Sequence, residues 1–350
     1  MNVKTNKVDV AVVGASGYTG AELVRLLARH ADARIVALTA ERKAGARMDQ
    51  VFPHLGGIAL PALVRLEAVD WDHVEVAFCC LPHGTTQDVV AGLPRHLKVV
   101  DLSADFRLAD VDVYAQWYGQ AHRAPELQKE AVYGLTEIAR EAIAGARLVA
   151  NPGCYPTSAQ LPLIPLIEAG LIATDDIIID AKSGVSGAGR AATEAMLFAE
   201  VGEGVHAYAV ASHRHAPEIE QGLSQAAGGA VTVNFTPHLM PMNRGILSTI
   251  YVRLAPGADA DDLRGALHRR YRNEPFVRVL DEGAVPATRH VRGSNHCLIG
   301  VHADRLPGRA IVLSVIDNLV KGAAGQALQN MNVMCGFSET AGLTQEALFP

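Results

Sequence analysis

The feature that most narrows the fold lies near the start of the chain. A short apolar run, Val8 to Val13, interrupted by Asp9, is followed by Gly14-Ala15-Ser16-Gly17-Tyr18-Thr19-Gly20 and then by Leu23, Leu26 and Leu27 at helical spacing. A short continuous apolar run reads as a parallel strand buried on both faces. Glycines between such a strand and a helix let backbone amides approach a pyrophosphate, and the helix N-terminus favours its negative charge. The spacing is G-x-x-G-x-x-G rather than the usual G-x-G-x-x-G. A ligand-free turn is the plainer alternative; the strand before and the amphipathic helix after it argue for a nucleotide. Gly14, Ser16, Gly17, Tyr18 and Thr19 are therefore the candidate phosphate-binding residues.

The same alternation continues. Ile35 to Leu38, Val74 to Cys79, Val99 to Asp101 and Leu148 to Ala150 read as further strands, and Tyr18 to His30 as the first helix. Strands alternating with helices predict an α/β, Rossmann-type, doubly wound parallel sheet, with ligands at the carboxyl ends of its strands. The second half changes character. Ile177 to Asp180, Val231 to Phe235, Ile246 to Leu254 and Leu298 to Val301 are strands with long irregular connections, and Asp261 to Arg272 is a helix. This predicts an α+β domain with a mostly antiparallel sheet. Pro156, Pro162 and Pro165 predict a short or kinked helix after Cys154. Asp317 to Met331 is helical again, with Leu319, Val320, Ala323, Ala324, Ala327 and Leu328 on one side. The expected division is a Rossmann domain over 1–153, completed by a C-terminal helix in 317–350, and a catalytic and oligomerisation domain over 154–316.

Charge and cysteine content exclude other classes. With 31 basic against 37 acidic residues, the formal charge is −6. No basic excess exists to neutralise phosphates along a nucleic acid. No apolar stretch reaches the 18 or more residues of a membrane span, and the N-terminus lacks signal-peptide character. Five cysteines, an odd number without C-x-x-C spacing, suggest neither a disulfide framework nor a zinc ribbon. A reduced, cytoplasmic protein is expected.

Cofactor preference turns on the end of the second strand, Leu38-Thr39-Ala40-Glu41-Arg42-Lys43. An acidic residue there suits NAD, a basic one the 2′-phosphate of NADP. Thr39, Arg42 and Lys43 favour NADP, against Glu41. Asn151-Pro152-Gly153-Cys154-Tyr155-Pro156-Thr157 is the sharpest chemical signal. It puts Cys154 between a strand and a helix, at the helix N-terminus, where dipole and amides favour a thiolate. Cys79, Cys80, Cys297 and Cys335 lie within or beside apolar runs and read as core residues. A thiolate nucleophile needs a proton partner. Ser212-His213-Arg214-His215-Ala216-Pro217-Glu218-Ile219 supplies two histidines to shuttle a proton and a carboxylate, Glu218, to orient one of them. His-x-His also fits a metal, but no third ligand stands nearby at metal spacing. Lys182 to Arg190 is a second glycine-rich loop. Arg190, and Arg107 after another strand, are candidates to pair a substrate anion.

With these blocks in chain order the sequence resembles the N-acetyl-gamma-glutamyl-phosphate reductases, within the wider aspartate-semialdehyde dehydrogenase superfamily. The resemblance covers nearly the whole chain: GASGYTGAEL at 14–23, CLPHG at 80–84, DLSADFR at 101–107, YGLTE at 133–137, NPGCYPT at 151–157, KSGVSGAGR at 182–190, SHRHAPEI at 212–219, RGSNHCLIG at 292–300 and DNLVKGAAGQALQNMN at 317–332. It implies that Cys154 is the nucleophile and His213 the acid/base, with His215 and Glu218 beside it. It also implies that Ser183, Gly184 and Asn318 approach the nicotinamide end of NADP. The implied reaction belongs to arginine biosynthesis. Cys154 attacks a small-molecule acyl phosphate, NADPH reduces the thioester, and protonated His213 stabilises the developing oxyanion. A homodimer or homotetramer is implied. Two alternatives are a reductase of carrier-bound aminoadipyl phosphate in lysine biosynthesis and a non-catalytic NADP sensor. The first calls for a basic patch, and only His268-Arg269-Arg270 with Arg272 is dense in charge. The second has no need of NPGCYPT or HRHAPEI.

Overall fold

The computed structural model describes residues 7–349. The chain forms two compact units. One runs up to Pro152 and takes in Ala323–Thr344; the other is Gly153–Gly322 with the residues from Gln345 onward.

The first unit is built on seven strands: β1 (Val8–Val13), β2 (Ala33–Thr39), β3 (Leu63–Val64), β4 (Val76–Cys79), β5 (Lys98–Asp101), β6 (Val132–Tyr133) and β7 (Leu148–Ala150). All pair in parallel, in the order β3-β2-β1-β4-β5-β7-β6. β1 and β4 are almost wholly apolar because sheets of this kind are covered on both faces. The order reverses direction at β1 and β4, the switch point where such sheets bind ligands. The expected doubly wound sheet is present; the two-residue strands β3 and β6 carry too little pattern to be read from sequence.

The segment 317–350 is not one helix. A π-helical turn, Val320–Ala324, leads into an α-helix, Gly325–Cys335, and the chain is irregular beyond it. Buried amides tie this helix into the first unit. Asn330 Nδ2 donates to the Gly134 carbonyl (2.8 Å), Gln329 Nε2 to Glu137 (2.9 Å), and Asn332 Oδ1 pairs with His30 Nε2 (2.8 Å). Each buried polar group must find such a partner, which explains a core helix rich in Gln and Asn.

The second unit carries a mixed seven-stranded sheet: β8 (Ile177–Gly184), β9 (His206–Ala207), β10 (Val233–Met240), β11 (Ile246–Arg253), β12 (Val277–Val279), β13 (Cys297–Ala303) and β14 (Arg309–Ile316), ordered β12-β13-β14-β11-β8-β10-β9. Its pairings are antiparallel except β8 with β10 and β12 with β13. Two helices that position the site belong to this unit, Cys154–Glu168 and Ala216–Ala227.

The helix from Cys154 corrects the expectation of a short helix: it runs 15 residues through both Pro162 and Pro165. Pro165 has no N–H for the Leu161 carbonyl one turn back. That carbonyl accepts instead from the Tyr271 hydroxyl, supplied by the helix Ala260–Tyr271. Ser158 Oγ bonds Ser248 Oγ of β11 at 2.7 Å. Packing and borrowed donors keep the helix whole where its own ladder is broken.

Candidate active site

Cys154 is the first residue of its helix. Gly153 before it is extended (φ −68°, ψ 157°) and offers no side chain to cap the helix, and the first turn holds no acidic residue. The positive end of the helix dipole is thus open to a negative charge at Cys154. The turn before it is fixed from another helix: Glu218 Oε1 accepts the Gly153 N–H at 2.7 Å, with Glu218 itself buried. Gln160, one turn and a half further on, donates to the Glu218 carbonyl at 2.7 Å. The two helices approach so closely that a Cβ on Gly222 would stand 2.4 Å from Gln160 Nε2.

His213 lies in a ring of aromatic side chains in the same unit. Tyr155, Tyr208 and Phe235 stand edge-on to it with centroids 5.5, 5.4 and 5.4 Å away, and His215 stands 4.8 Å away. Tyr155 and Tyr208 share a hydroxyl–hydroxyl hydrogen bond of 3.1 Å. Burial raises the pKa of both phenols, Tyr208 to about 12, and the neighbouring Cys154 adds to each. The phenols therefore stay neutral and hold Cys154 and His213 in one cluster. Burial, helped by Arg214, pushes His213 down to about 4. Its Nδ1 accepts the backbone N–H of His215 at 3.1 Å, so the ring proton sits on Nε2. His215 itself precedes the helix Ala216–Ala227 as its N-cap residue.

The tautomer of His213 is set by the His215 backbone, while the Glu218 carboxylate holds the Cys154 turn. At neutral pH His213 is a neutral Nε2–H donor rather than an imidazolium, because the aromatic ring around it withholds the water a charge requires.

The second glycine loop is knit to its surroundings. Ser183 and Gly184 end β8, and a Cβ on Gly184 would strike the backbone of Asn243 and Arg244 at 2.7 Å. Asn318 is buried and bridges: its Oδ1 accepts from Gly245 N–H (2.8 Å) and its Nδ2 donates to Ser186 Oγ (2.9 Å). Arg190 is exposed in the loop after β8. Arg107 is buried after β5. Its Nε and Nη2 donate to the carbonyls of Asn151 (2.8 Å) and Leu102 (3.0 Å), so it braces the loop after β5.

In the first unit, Gly14 has φ +82°, and a Cβ there would stand 2.6 Å from the Cys80 carbonyl oxygen. Gly20 packs as tightly on Ala15, at 2.7 Å. Gly17 is different: its Cβ would meet nothing nearer than 3.7 Å, and it opens the helix Tyr18–Leu27 with no capping side chain. Two glycines close the turn and the third leaves its mouth clear beside uncapped amides, which fits a pyrophosphate. Thr39 is buried, and its hydroxyl accepts the Gly14 N–H at 3.1 Å, so it shapes the turn. Arg42 and Lys43 are exposed beyond β2, where Glu41 pairs with Arg65 at 2.7 Å. Burial and the nearby Asp101 push the Cys79 and Cys80 thiols up, which suits core residues.

The sequence motifs do not mark Tyr208 and Phe235 as neighbours of His213, or Gly322 as a neighbour of Cys154. Tyr208 and Phe235 lie in stretches without a motif. Gly322 stands inside DNLVKGAAGQALQNMN, where helical spacing drew attention to the apolar positions instead.

Two family models match the chain: the NAD binding domain of semialdehyde dehydrogenase over residues 9–146 and the semialdehyde dehydrogenase dimerisation domain over 154–318. An N-acetyl-gamma-glutamyl-phosphate reductase of Rhodospirillum rubrum is 67% identical over 99% of this chain and 100% of its own length. The chain belongs to the N-acetyl-gamma-glutamyl-phosphate reductase family. A probable chloroplastic member from Arabidopsis thaliana is 61% identical, covering 100% of this chain and 87% of its own. In fold, aspartate semialdehyde dehydrogenase II of Vibrio cholerae superposes with a TM-score of 0.71 at 19% identity, over 94% of this chain and 99% of that one. The Candida albicans aspartate semialdehyde dehydrogenase solved with NADP gives 0.68 at 18% identity, over 94% and 98%. As a member of this family the chain is an oxidoreductase with a nicotinamide-dinucleotide domain. No helix among the described residues is long and apolar enough to cross a membrane.

Proposed function

We propose that the chain reduces N-acetyl-gamma-glutamyl phosphate to N-acetyl-glutamate 5-semialdehyde and phosphate, with NADPH, in arginine biosynthesis in the cytoplasm. The observation that carries this reading is Cys154 at an uncapped helix start, clustered through Tyr155 and Tyr208 with a buried neutral His213. The first unit is read as the NADP domain. The second is read as carrying catalysis and the contacts of a homodimer or homotetramer.

In this reading the Cys154 thiolate attacks the acyl carbon, and the bond to phosphate breaks to leave a thioester. The helix dipole favours the thiolate, and the Glu218 bond to Gly153 keeps the turn from shifting as charge leaves the sulfur. The bound cofactor supplies the hydride. His213 Nε2–H donates a hydrogen bond to the oxygen as its charge develops and holds the oxyanion until it collapses. Collapse expels the Cys154 thiolate and releases the aldehyde. Gly14, Ser16, Gly17, Tyr18 and Thr19 would hold the pyrophosphate and Arg42 the 2′-phosphate. Ser183, Gly184 and Asn318 would frame the nicotinamide end, and Arg190 would meet a substrate anion.

The test is the reverse reaction, phosphate-dependent reduction of NADP with the semialdehydes of N-acetyl-glutamate, aspartate and free aminoadipate, and with NAD in place of NADP. Turnover confined to the acetylated compound, needing phosphate and favouring NADP, is expected. Turnover with another semialdehyde and none with this one refutes the substrate; preference for NAD refutes the role of Arg42.

A further inference from the structure

The π-helical turn Val320–Ala324 is closed by the Gly322 N–H donating to the Asp317 carbonyl at 2.9 Å. Such turns are rare and recur at functional sites. This one presents Gly322 to Cys154. A Cβ built on Gly322 would stand 2.7 Å from the Cys154 Cβ and 3.2 Å from its Cα. Carbon atoms in ordinary contact stand about 3.5–4.0 Å apart, so a single methyl group has no place. The demand is for space and not for conformation: Gly322 is not among the glycines with positive φ. Glycine in a helical turn is otherwise inferior to alanine. The other close atom, Ile316 Cδ1 at 3.2 Å, is the tip of a flexible side chain.

The turn is itself held rigid. The buried Asp317 carboxylate accepts from Leu319 N–H (2.8 Å), Val320 N–H (3.1 Å) and Gly293 N–H (2.7 Å). Cys154 thus has a fixed backbone wall against its Cα and Cβ, while Glu218 fixes the residue before it.

We propose that Gly322 is a positioning residue for the nucleophile, its bare backbone seating Cys154 so that the sulfur meets the acyl carbon in line. The proposal rests on the reading of Cys154 as nucleophile. Gly322→Ala must push Cys154 away by about 1 Å, a misplacement that costs on the order of 100-fold in rate. The expected result is a kcat about 100-fold lower with KM nearly unchanged, and slower alkylation of Cys154 by iodoacetamide with a displaced pH midpoint. Stability gives a second, independent readout. Gly322→Ala should lower Tm in the native background. In Cys154→Gly, which removes the opposing Cβ, the same substitution should leave Tm unchanged or raise it. Should Gly322→Ala fail to fold, the double variant should fold again. Native kcat and alkylation in Gly322→Ala overturn the proposal, as does an equal loss of Tm in both backgrounds. Cys154→Ser separates the two levels: an inactive Cys154→Ser beside a fully active Gly322→Ala refutes positioning alone, and an active Cys154→Ser refutes the nucleophile and the proposal together.

Discussion

The aromatic ring around His213 makes stability depend on pH in a way that can be worked out in advance. Folded, the imidazole protonates at about 4; its ordinary value is 6.5. Between those values the unfolded chain binds a proton that the folded chain refuses, so stability falls as pH drops from 6.5 toward 4. At 1.36 kcal/mol per pH unit the whole effect is about 3 kcal/mol. By pH 5 about 2 kcal/mol of it is already lost relative to pH 7.5. His213→Asn isolates this contribution, because an amide oxygen can still accept the His215 N–H without titrating. Urea denaturation of both proteins at pH 7.5, 6 and 5 measures the difference. The native protein should lose about 2 kcal/mol more than the variant on going to pH 5. Parallel profiles would show that His213 titrates like a solvated histidine, and the neutral-donor role would fall with it.

Other residues give sharper contrasts. Gly14→Ala, with φ +82° and a carbonyl oxygen 2.6 Å from the new Cβ, should abolish NADP binding or folding, whereas Gly17→Ala should still fold; equal effects on Tm would contradict the geometry. Tyr271→Phe removes the hydroxyl that donates to the Leu161 carbonyl that Pro165 leaves open. It should cost about 1–3 kcal/mol in urea denaturation with kcat unchanged. Burial raises Asp101 to about 7 from 3.8, so the folded state keeps a proton that the unfolded state loses as pH rises through that window. Asp101→Asn should therefore gain stability over the native chain at pH 8 but not at pH 4, and a gain of equal size at both would refute the raised value.

Much of this was legible in the sequence because the physics is local. Val10 to Val13 is apolar throughout since both faces of β1 are covered there, and the glycine turn after it follows from backbone approach. Cys154 at a helix start could be read from Gly153 and the prolines around it. What was not legible depends on residues far apart. Arg309–Ile316 forms the interior strand β14, between β13 and β11, yet its pattern runs straight into the helical-looking segment after Asp317. The length of the Cys154 helix depends on a hydroxyl supplied by Tyr271, over 100 positions away. Nor can a sequence show that Arg107 Nε and Nη2 donate to the Asn151 and Leu102 carbonyls. The state of His213 depends on Tyr208 and Phe235, which no motif marks.

The account stands most directly on Cys154 forming a covalent acyl enzyme. Mixing the protein with N-acetyl-gamma-glutamyl phosphate in the absence of NADPH, followed by intact-mass and peptide mass spectrometry, tests this. The account predicts one N-acetylglutamyl adduct per chain, on Cys154, with stoichiometric phosphate release, absent from Cys154→Ser and discharged on adding NADPH. Phosphate release or turnover in Cys154→Ser, or an adduct at any other residue, would contradict it.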